Sequence, residues 1–275
     1  MRNCFIIVNH NDYKSTKHLV DNIIDYNIID DILIVDNNSK AEERELLKTI
    51  TNEKIEILYN DDNLGYSHGI NTGAKYLINK YENCNFIISN SDIVILGEDD
   101  IHKLIDLLNY ETVGLVGPQI LERGIKRRGL KCITPWIDIR RNLTPFKNKI
   151  NDHKLVYPDS YYEGETSFVD VVSSAFFLIS SDTLKKINFM DENIFLYYED
   201  FVLARKVQEL GLMVLISNQV CVKHLYSGSV DKIYTSREKN KMLKESQFYF
   251  HSTYGDMSKF VKHLLKFSQI FLKND

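Results

Sequence analysis

Three groups of residues in this chain have the types and spacing to do chemistry. Asn90-Ser91-Asp92 interrupts an apolar run, with Phe86-Ile87-Ile88 before it and Ile93-Val94-Ile95-Leu96 after it. A strand therefore delivers an amide, a hydroxyl and a carboxylate to one sheet edge. In an open α/β sheet, ligands bind at the carboxyl ends of the strands, which makes Asp92 a candidate metal contact. Taken alone, the same cluster also reads as a simple turn, because Asn, Ser and Asp bond to nearby backbone and end strands. Glu199-Asp200 stands at a helix start, where the macrodipole favours acids whether or not they react. The aromatic block Phe195-Leu196-Tyr197-Tyr198 in front of it would raise a carboxyl pKa toward the range of a general base, with Asp200 as the base and Glu199 its neighbour. His224 follows a short apolar run, where a lone histidine is more often structural. As a further ligand beside Asp92 its imidazole would suit Mn²⁺ better than Mg²⁺.

The elements that must position these groups alternate between strand and helix. Cys4 to Val8 is a continuous apolar run, as in a strand buried on both faces, and it ends in Asn9-His10-Asn11-Asp12. A helix over Ser15 to Tyr26, capped by Ser15, leads to a strand at Asp31 to Val35 that ends in Asp36-Asn37-Asn38-Ser39. A helix at Glu42 to Thr49 and a strand at Ile55 to Tyr59 follow at βαβ spacing, and that strand ends in Asn60-Asp61-Asp62-Asn63. Three successive strands ending in polar clusters imply a lined crevice. Glycines at 65, 69 and 73 precede a helix at Ala74 to Lys80; on a helix they would share one face and let backbone approach a neighbour closely. Their spacing is neither G-x-G-x-x-G nor a P-loop, which speaks against a dinucleotide or P-loop site.

After a helix at Glu98 to Leu108, a strand at Val113 to Pro118 is expected to stop at Gly117-Pro118. Residues 119–165 carry Lys126-Arg127-Arg128, Arg140-Arg141, the sole Trp136 and the polar segment Asp152 to Gly164. They read as a solvated, partly mobile insertion, or as a loop closing over an anionic substrate. Phe168 to Ile179 reads as a strand or strand pair whose Ser173-Ser174-Ala175 make room for a neighbour. Ser181-Asp182 caps a short helix, Phe201 to Leu210 forms an amphipathic helix ended by Gly211, and Val214 to Ser217 and Val220 to Lys223 form two last strands. From Ser236 onward the chain reads as helices.

Composition bounds the answer. The 275 residues are 44% hydrophobic and 26% charged, which suits one large domain or two fused halves. A net charge of -4 excludes the basic stripe of a nucleic-acid binder. Sixteen Tyr and fourteen Phe against four Pro argue for an ordered chain. Cys4, Cys84, Cys132 and Cys221 are scattered singly, so neither a disulfide framework nor structural zinc is indicated, and reduced thiols are expected. No apolar run approaches the roughly 18 residues of a membrane span, and the start enters a strand without a leader pattern. The expected location is cytoplasmic, with the inner face of the cell membrane as a candidate address. Residues 236–275 mix Phe248, Phe260, Leu264, Phe267 and Phe271 with lysines. Two readings stand for them: packing against the parent domain or a partner subunit, or a basic amphipathic surface on an anionic membrane.

In order and spacing, these pieces resemble inverting glycosyltransferases of family 2, with the GT-A fold, and look most like the bacterial rhamnosyltransferase-like branch. The matching residues are Ile7-Val8-Asn9-His10-Asn11, Val35-Asp36-Asn37-Asn38-Ser39, Asn63-Leu64-Gly65 through Asn71-Thr72-Gly73, Asn90-Ser91-Asp92, Gly117-Pro118, Val169-Asp170-Val171-Val172-Ser173 and Phe195 to Asp200, with His224 and Ser227 after them. The resemblance covers the chain to about residue 230. It implies an α/β, Rossmann-like mixed sheet flanked by helices, divided into a nucleotide-sugar half (1–117), an acceptor-binding and catalytic half (118–230) and a C-terminal helical extension (231–275). It implies that Val8, His10, Asp36 and Gly65 line a nucleoside site, with Asp36 accepting from the N3–H of uracil or thymine, hence a UDP- or dTDP-linked donor. Asn90-Ser91-Asp92 stands at the family's D-x-D position, so that Asp92 would hold Mg²⁺ or Mn²⁺ under the diphosphate; Asn90 leaves one negative charge fewer than that motif. Ser174 stands where the family often has Gly. Asp200 matches the catalytic base of a single in-line displacement that moves rhamnose or a hexose to a glycan or lipid-linked glycan in bacterial surface polysaccharide synthesis. The alternatives are a sugar nucleotidyltransferase, which would want a Gly- and Arg-rich loop where Asn9-His10-Asn11-Asp12 stands, and a non-catalytic assembly subunit on the same fold.

Overall fold

A computed structural model describes residues 1–144, 155–225 and 233–272 of the chain; the beginning of the Asp152 to Gly164 segment, Ser227 and the 230/231 boundary lie outside them. The first half alternates β1 (Arg2–Asn9), α1 (Tyr13–Ile23), β2 (Asp31–Asp36), α2 (Ala41–Leu47), β3 (Ile55–Tyr59), α3 (Tyr66–Tyr81), β4 (Cys84–Asn90), β5 (Ile93–Val94) and α4 (Glu98–Leu108). The second half contributes β6 (Val113–Glu122), β7 (Ile125–Arg127), α5 (Pro135–Leu143), β8 (Thr166–Phe168), β9 (Phe176–Ser180), α6 (Ser181–Lys186), α7 (Glu199–Glu209) and β10 (Met213–His224). Two helices, α8 (Ser236–Thr253) and α9 (Lys259–Ser268), complete it.

Among the described residues the strands form one sheet in the order β3-β2-β1-β4-β9-β6-β10-β5, with β7 beside β6 and β8 beside β10. The β3-β2-β1-β4 ladder is parallel, and β9 then enters antiparallel between β4 and β6. The halves expected from the sequence thus share a single sheet. Its strands are apolar on both faces because both faces are covered. Phe5, Ile7, Ile34 and Leu178 pack into one buried cluster, while Ile6, Leu33, Val35 and Phe177 pack into the other. A third, smaller cluster joins Ile133, Ile194, Tyr198, Val202 and Phe250 where the C-terminal helices meet the body. This is the mixed α/β architecture with a helical extension that the sequence implies.

Several boundaries move, each for a physical reason. Helix α3 starts eight residues before the expected Ala74, directly after Gly65. Gly69 and Gly73 are tolerated inside it because the helix lies close on the sheet: a Cβ on Gly69 would sit 2.9 Å from Val8 Cγ1, and one on Gly73 2.9 Å from Val35 Cγ2. Helix α1 starts at Tyr13, and Ser15 is no cap; its hydroxyl donates to Asp12 Oδ1 at 2.9 Å. Strand β6 does not stop at Gly117-Pro118 but runs on to Glu122. Pro118 is accommodated opposite Ser217, where the pairing of β10 is irregular and no amide hydrogen is required. The two expected last strands are one, β10, interrupted by that irregularity. The stretch expected as a solvated, mobile insertion contains a β6–β7 hairpin, helix α5 and stacked Tyr157 and Tyr161 rings 4.5 Å apart. Its basic residues have local acidic partners: Arg127 with Glu122, Arg128 with Asp159, and Arg141 with Asp138.

Candidate active site

A cavity of about 330 Å³ opens over the carboxyl ends of the strands, lined by Val8, His10, Asn37, Gly65, Asn90, Ser91, Asp92 and His224, with Glu199 on its far side. Register explains why the first of these meet: Val8 of β1 lies opposite Asn90 of β4, and Asn9 opposite Asp36 of β2. His10 Nδ1 faces the Asn37 carbonyl at 2.8 Å, so it donates there, and the Asn11 amide lies 3.1 Å from Nε2. The Asn37 amide donates to the Gly65 carbonyl at 3.0 Å and accepts from Asn60. Gly65 has φ +103°, and a Cβ there would lie 2.6 Å from the Phe195 carbonyl oxygen. The position therefore admits only glycine without moving the wall opposite.

Asp36, expected from the resemblance to line the nucleoside site, does not line this cavity. It is fully buried behind the crevice wall, and the cavity lining there is Asn37. Its Oδ1 accepts from Asn9 Nδ2 at 2.9 Å, and its Oδ2 accepts from the Ser39 amide at 3.1 Å and from Arg44 Nε at 2.8 Å. With those partners the carboxylate braces the β1 and β2 loops and does not offer itself to a base.

At the other end of the crevice, the last residue of β10 meets the short β5, with His224 opposite Ile93. That pairing brings His224 Nε2 to 3.0 Å from Asp92 Oδ1, and the Leu225 amide donates to the Asp92 carbonyl. The Ser91 hydroxyl donates to Asp12 Oδ2 at 3.1 Å. Small residues floor the cavity as expected: the Tyr66 hydroxyl donates to the Ser174 carbonyl at 3.0 Å, and Ser174 Oγ donates to Glu199 Oε1 at 2.9 Å. Burial pushes the Tyr66 hydroxyl well up, and the Glu199 and Asp92 carboxylates push it the same way.

Asp200 opens onto a second cavity of about 590 Å³, with Arg127, Asp138, Arg141, Leu243, Gln247 and Leu272 in its lining. Tyr197 and Glu199 line both cavities. Burial first, then the charge of Glu199, pushes the Asp200 carboxyl up to about 7, although the Phe201 amide donates to its Oδ1 at 2.9 Å. Glu199 is also raised by burial, and its buried Oε2 has no hydrogen-bond partner among the described residues. The chain reaches these acids through Tyr197 and Tyr198, at φ +70° and +66°, a conformation non-glycine residues adopt only when held there. Helices α5 and α8 hold it. The Tyr198 hydroxyl donates to Asp138 Oδ2 at 2.5 Å, His251 Nε2 lies 2.7 Å from the same oxygen, and Ser246 Oγ donates to the Leu196 carbonyl at 2.7 Å.

The sequence model described as Glycosyl transferase family 2 matches residues 4–169. The chain belongs to glycosyltransferase family 2. It is 24% identical over 195 residues to the low-salt glycan biosynthesis hexosyltransferase Agl10 of Haloferax volcanii, covering 71% of the chain. It spans 58% of that relative's length. Its fold is shared with GalNAc-T7 solved with UDP, GalNAc and Mn²⁺ (TM-score 0.64, 15% identity, 97% of this chain and 55% of that one). It is shared also with the Pyrobaculum calidifontis mannosyltransferase PcManGT in complex with GDP-Man and Mn²⁺ (0.59, 13%, 98% and 69%). S. aureus TarS residues 1–349 match as well (0.57, 12%, 92% and 72%).

For a divalent cation, the crevice offers two side chains, Asp92 and His224. Among the described residues no group of three or more His, Cys, Asp or Glu is placed to hold a metal. Asp92 and His224 both line the cavity and are hydrogen-bonded to each other at 3.0 Å, a bond they would exchange for bonds to a shared ion. An ion held so would take its other ligands from water and a diphosphate. Of the residues singled out from sequence, the first cavity gathers Val8, His10, Gly65, Asn90, Ser91, Asp92 and His224, and it leaves out Asp36 and Asp200. Asn37 and Asp12 were within reach of the sequence, since both stand in the polar strand-end clusters. Tyr66 and the Asp138–His251 pair carried no local signal.

Proposed function

We propose that this glycosyltransferase moves a sugar, rhamnose or a hexose, from a UDP- or dTDP-linked donor to a glycan or lipid-linked glycan acceptor with inversion at the anomeric carbon. The observation that carries the proposal is the pairing of two cavities across Tyr197 and Glu199, with Asp92 and His224 in one and Asp200, raised to about 7, in the other. The first would take the nucleotide sugar, with the base between Val8, His10, Asn37 and Gly65 and the diphosphate at Ser91 and Asp92. Asp92 and His224 would hold a Mg²⁺ or Mn²⁺ ion, whose charge offsets that gathering on the departing nucleoside diphosphate. Mn²⁺ in two of the similar folds, and UDP in one of them, support that placement.

The acceptor would enter from the second cavity. Asp200 takes the proton of an acceptor hydroxyl as that oxygen attacks the anomeric carbon, and the C–O bond to the diphosphate breaks on the opposite face. Glu199, reaching both cavities, would hold a sugar hydroxyl at the junction. Because Glu199 and not Asp200 lines the first cavity, a second reading makes Glu199 the base. Asp200→Asn and Glu199→Gln separate the two. Under the primary reading, Asp200→Asn loses transfer and keeps nucleotide-sugar binding, measured by thermal shift against UDP-, dTDP- and GDP-sugars. Transfer that survives Asp200→Asn and is lost in Glu199→Gln exchanges the roles. The anomeric configuration of the product, read by NMR, tests inversion directly.

A further inference from the structure

Helix α9 is anchored by one face and leaves another open. Leu265 and Ser268 are buried, Asn142 Nδ2 of α5 donates to Ser268 Oγ at 3.0 Å, and Gln269 Nε2 donates to the Lys244 carbonyl at 2.9 Å. Phe260, Leu264, Phe267 and Phe271 fall at i, i+4, i+7 and i+11, one stripe along the helix and the turn that follows it. The stripe does not face the core: Phe260 is 69% exposed, Phe267 55% and Phe271 49%, and the last two rings stand 5.4 Å apart. Ile270 beside it is 72% exposed. Isolated exposed apolar residues are ordinary, but a contiguous aromatic stripe marks an interaction surface.

Charge says what the stripe meets. His263, Lys259 and Lys266 run along one side of it, Lys266 Nζ lying 4.5 Å from the centre of the Phe248 ring, Lys262 lies on the far face, and no carboxylate occurs between Ser258 and Leu272. Residues 236–275 hold eight Lys and Arg against four Asp and Glu in a chain whose net charge is -4, so the extension is positive on a negative protein. A symmetric pair of copies burying the same stripe would bring two sets of lysines together with no α9 carboxylate between them, which disfavours self-association. Apolar side chains flanked by lysines are what an anionic bilayer surface takes up, the rings entering the acyl boundary and the ammonium groups meeting headgroup phosphates. No helix among the described residues is long and apolar enough to cross a membrane, so contact would be from one side. Neighbouring α5 leaves Trp136, Arg140 and Leu143, again at i, i+4 and i+7, exposed to solvent.

We propose that α9, through Phe260, Leu264, Phe267 and Phe271 with the lysines beside them, docks the protein on the surface of an anionic lipid bilayer. Leu272, one residue beyond the stripe, lines the cavity onto which Asp200 opens, so docking would set that cavity beside the lipid surface. The surface inference stands on exposure and charge and does not depend on the donor or the reaction.

The test is flotation of the full chain with vesicles of phosphatidylcholine alone and of phosphatidylcholine with roughly one phosphatidylglycerol in three. The wild type is expected to float with the anionic vesicles, and to be released by high salt. Phe260→Ser with Phe267→Ser, and separately Lys259→Glu with Lys262→Glu and Lys266→Glu, should each lower partition on the order of 100-fold. Unchanged melting temperatures in these surface variants would show that the fold is kept. Failure of the wild type to float, or equal flotation of the variants, overturns the proposal. So does a wild-type dimer in light scattering that the Phe→Ser variant dissolves, which would assign the stripe to a second copy of the chain. Thermal shift with nucleotide sugars on the same variants keeps the catalytic reading separate, since it is expected to be unchanged whatever the flotation result.

Discussion

Asp92 and Asp200 are the same side chain in two opposite settings. Asp92 sits at a sheet edge with an imidazole 3.0 Å from one oxygen and a crevice built from polar strand ends around it. Asp200 stands behind an aromatic turn beside a second buried carboxylate, with burial and that neighbour raising it to about 7. The difference teaches that role follows surroundings: a carboxylate in an open polar crevice beside an imidazole is placed to grip a cation, and one among rings and a like charge holds a proton near neutral pH and can exchange it.

Breaking the comparison starts with its stronger arm. Asp200→Asn is expected to lower transfer about a thousandfold while nucleotide-sugar affinity moves little; retained activity would remove the base from this side. His251→Ala should lower stability by about 2–4 kcal/mol, because it strips one partner from a fully buried carboxylate. It should also lower kcat more than it raises donor KM, since Asp138 then holds Tyr198 alone. His251→Gln, which keeps a donor, is expected to recover part of both. On the other arm, Asp92→Asn should raise the Mn²⁺ concentration needed for half-maximal activity by about 10–100-fold, read by metal titration after chelation.

The pH dependence sharpens the same contrast. A base must be deprotonated, so acceptor kcat/KM should rise with pH through about 7 and then level. Glu199→Gln should move that midpoint down, because the neighbouring charge is the second contribution to it after burial. Stability runs the other way. A carboxyl whose folded pKa lies above its unfolded value supports the fold fully below the unfolded pKa and loses that support as pH climbs through about 7. Asp200→Asn should therefore melt higher than wild type at pH 8, by roughly 5 °C if the relieved cost is about 1–2 kcal/mol, and near wild type at pH 5. A local effect of similar size is expected of Gly65→Ala, which, forced against the Phe195 carbonyl at positive φ, should cost about 1–3 kcal/mol in melting experiments.

What the sequence disclosed, and what it hid, follows the range of the forces involved. Continuous apolar runs announced β1, β2, β4 and β6 because a sheet covered on both faces needs them, and polar strand ends announced the crevice. The start of α3 was hidden because two of its glycines contradict helix propensity; only contact with Val8 and Val35 across the sheet explains them. Pro118 within β6 was hidden because its tolerance depends on an irregularity in a strand almost a hundred residues later. Motif order gave no sign that Asp36 is bonded to Asn9, 27 residues away, and to Arg44 in the next helix. Asp138 and His251 lie 113 residues apart and have no spacing to read.

One feature of the framework reaches further. Asp200 opens α7, and after three connecting residues the chain turns straight into β10, whose last residue is His224. The proposed base and the proposed metal-side imidazole thus ride on a single helix-and-strand arm clamped between β6 and β5. Under that proposal the span between proton acceptor and leaving-group anchor is built like a fixed gauge, so that exchange of the surrounding loops for new sugars leaves the distance over which the bond is exchanged unaltered.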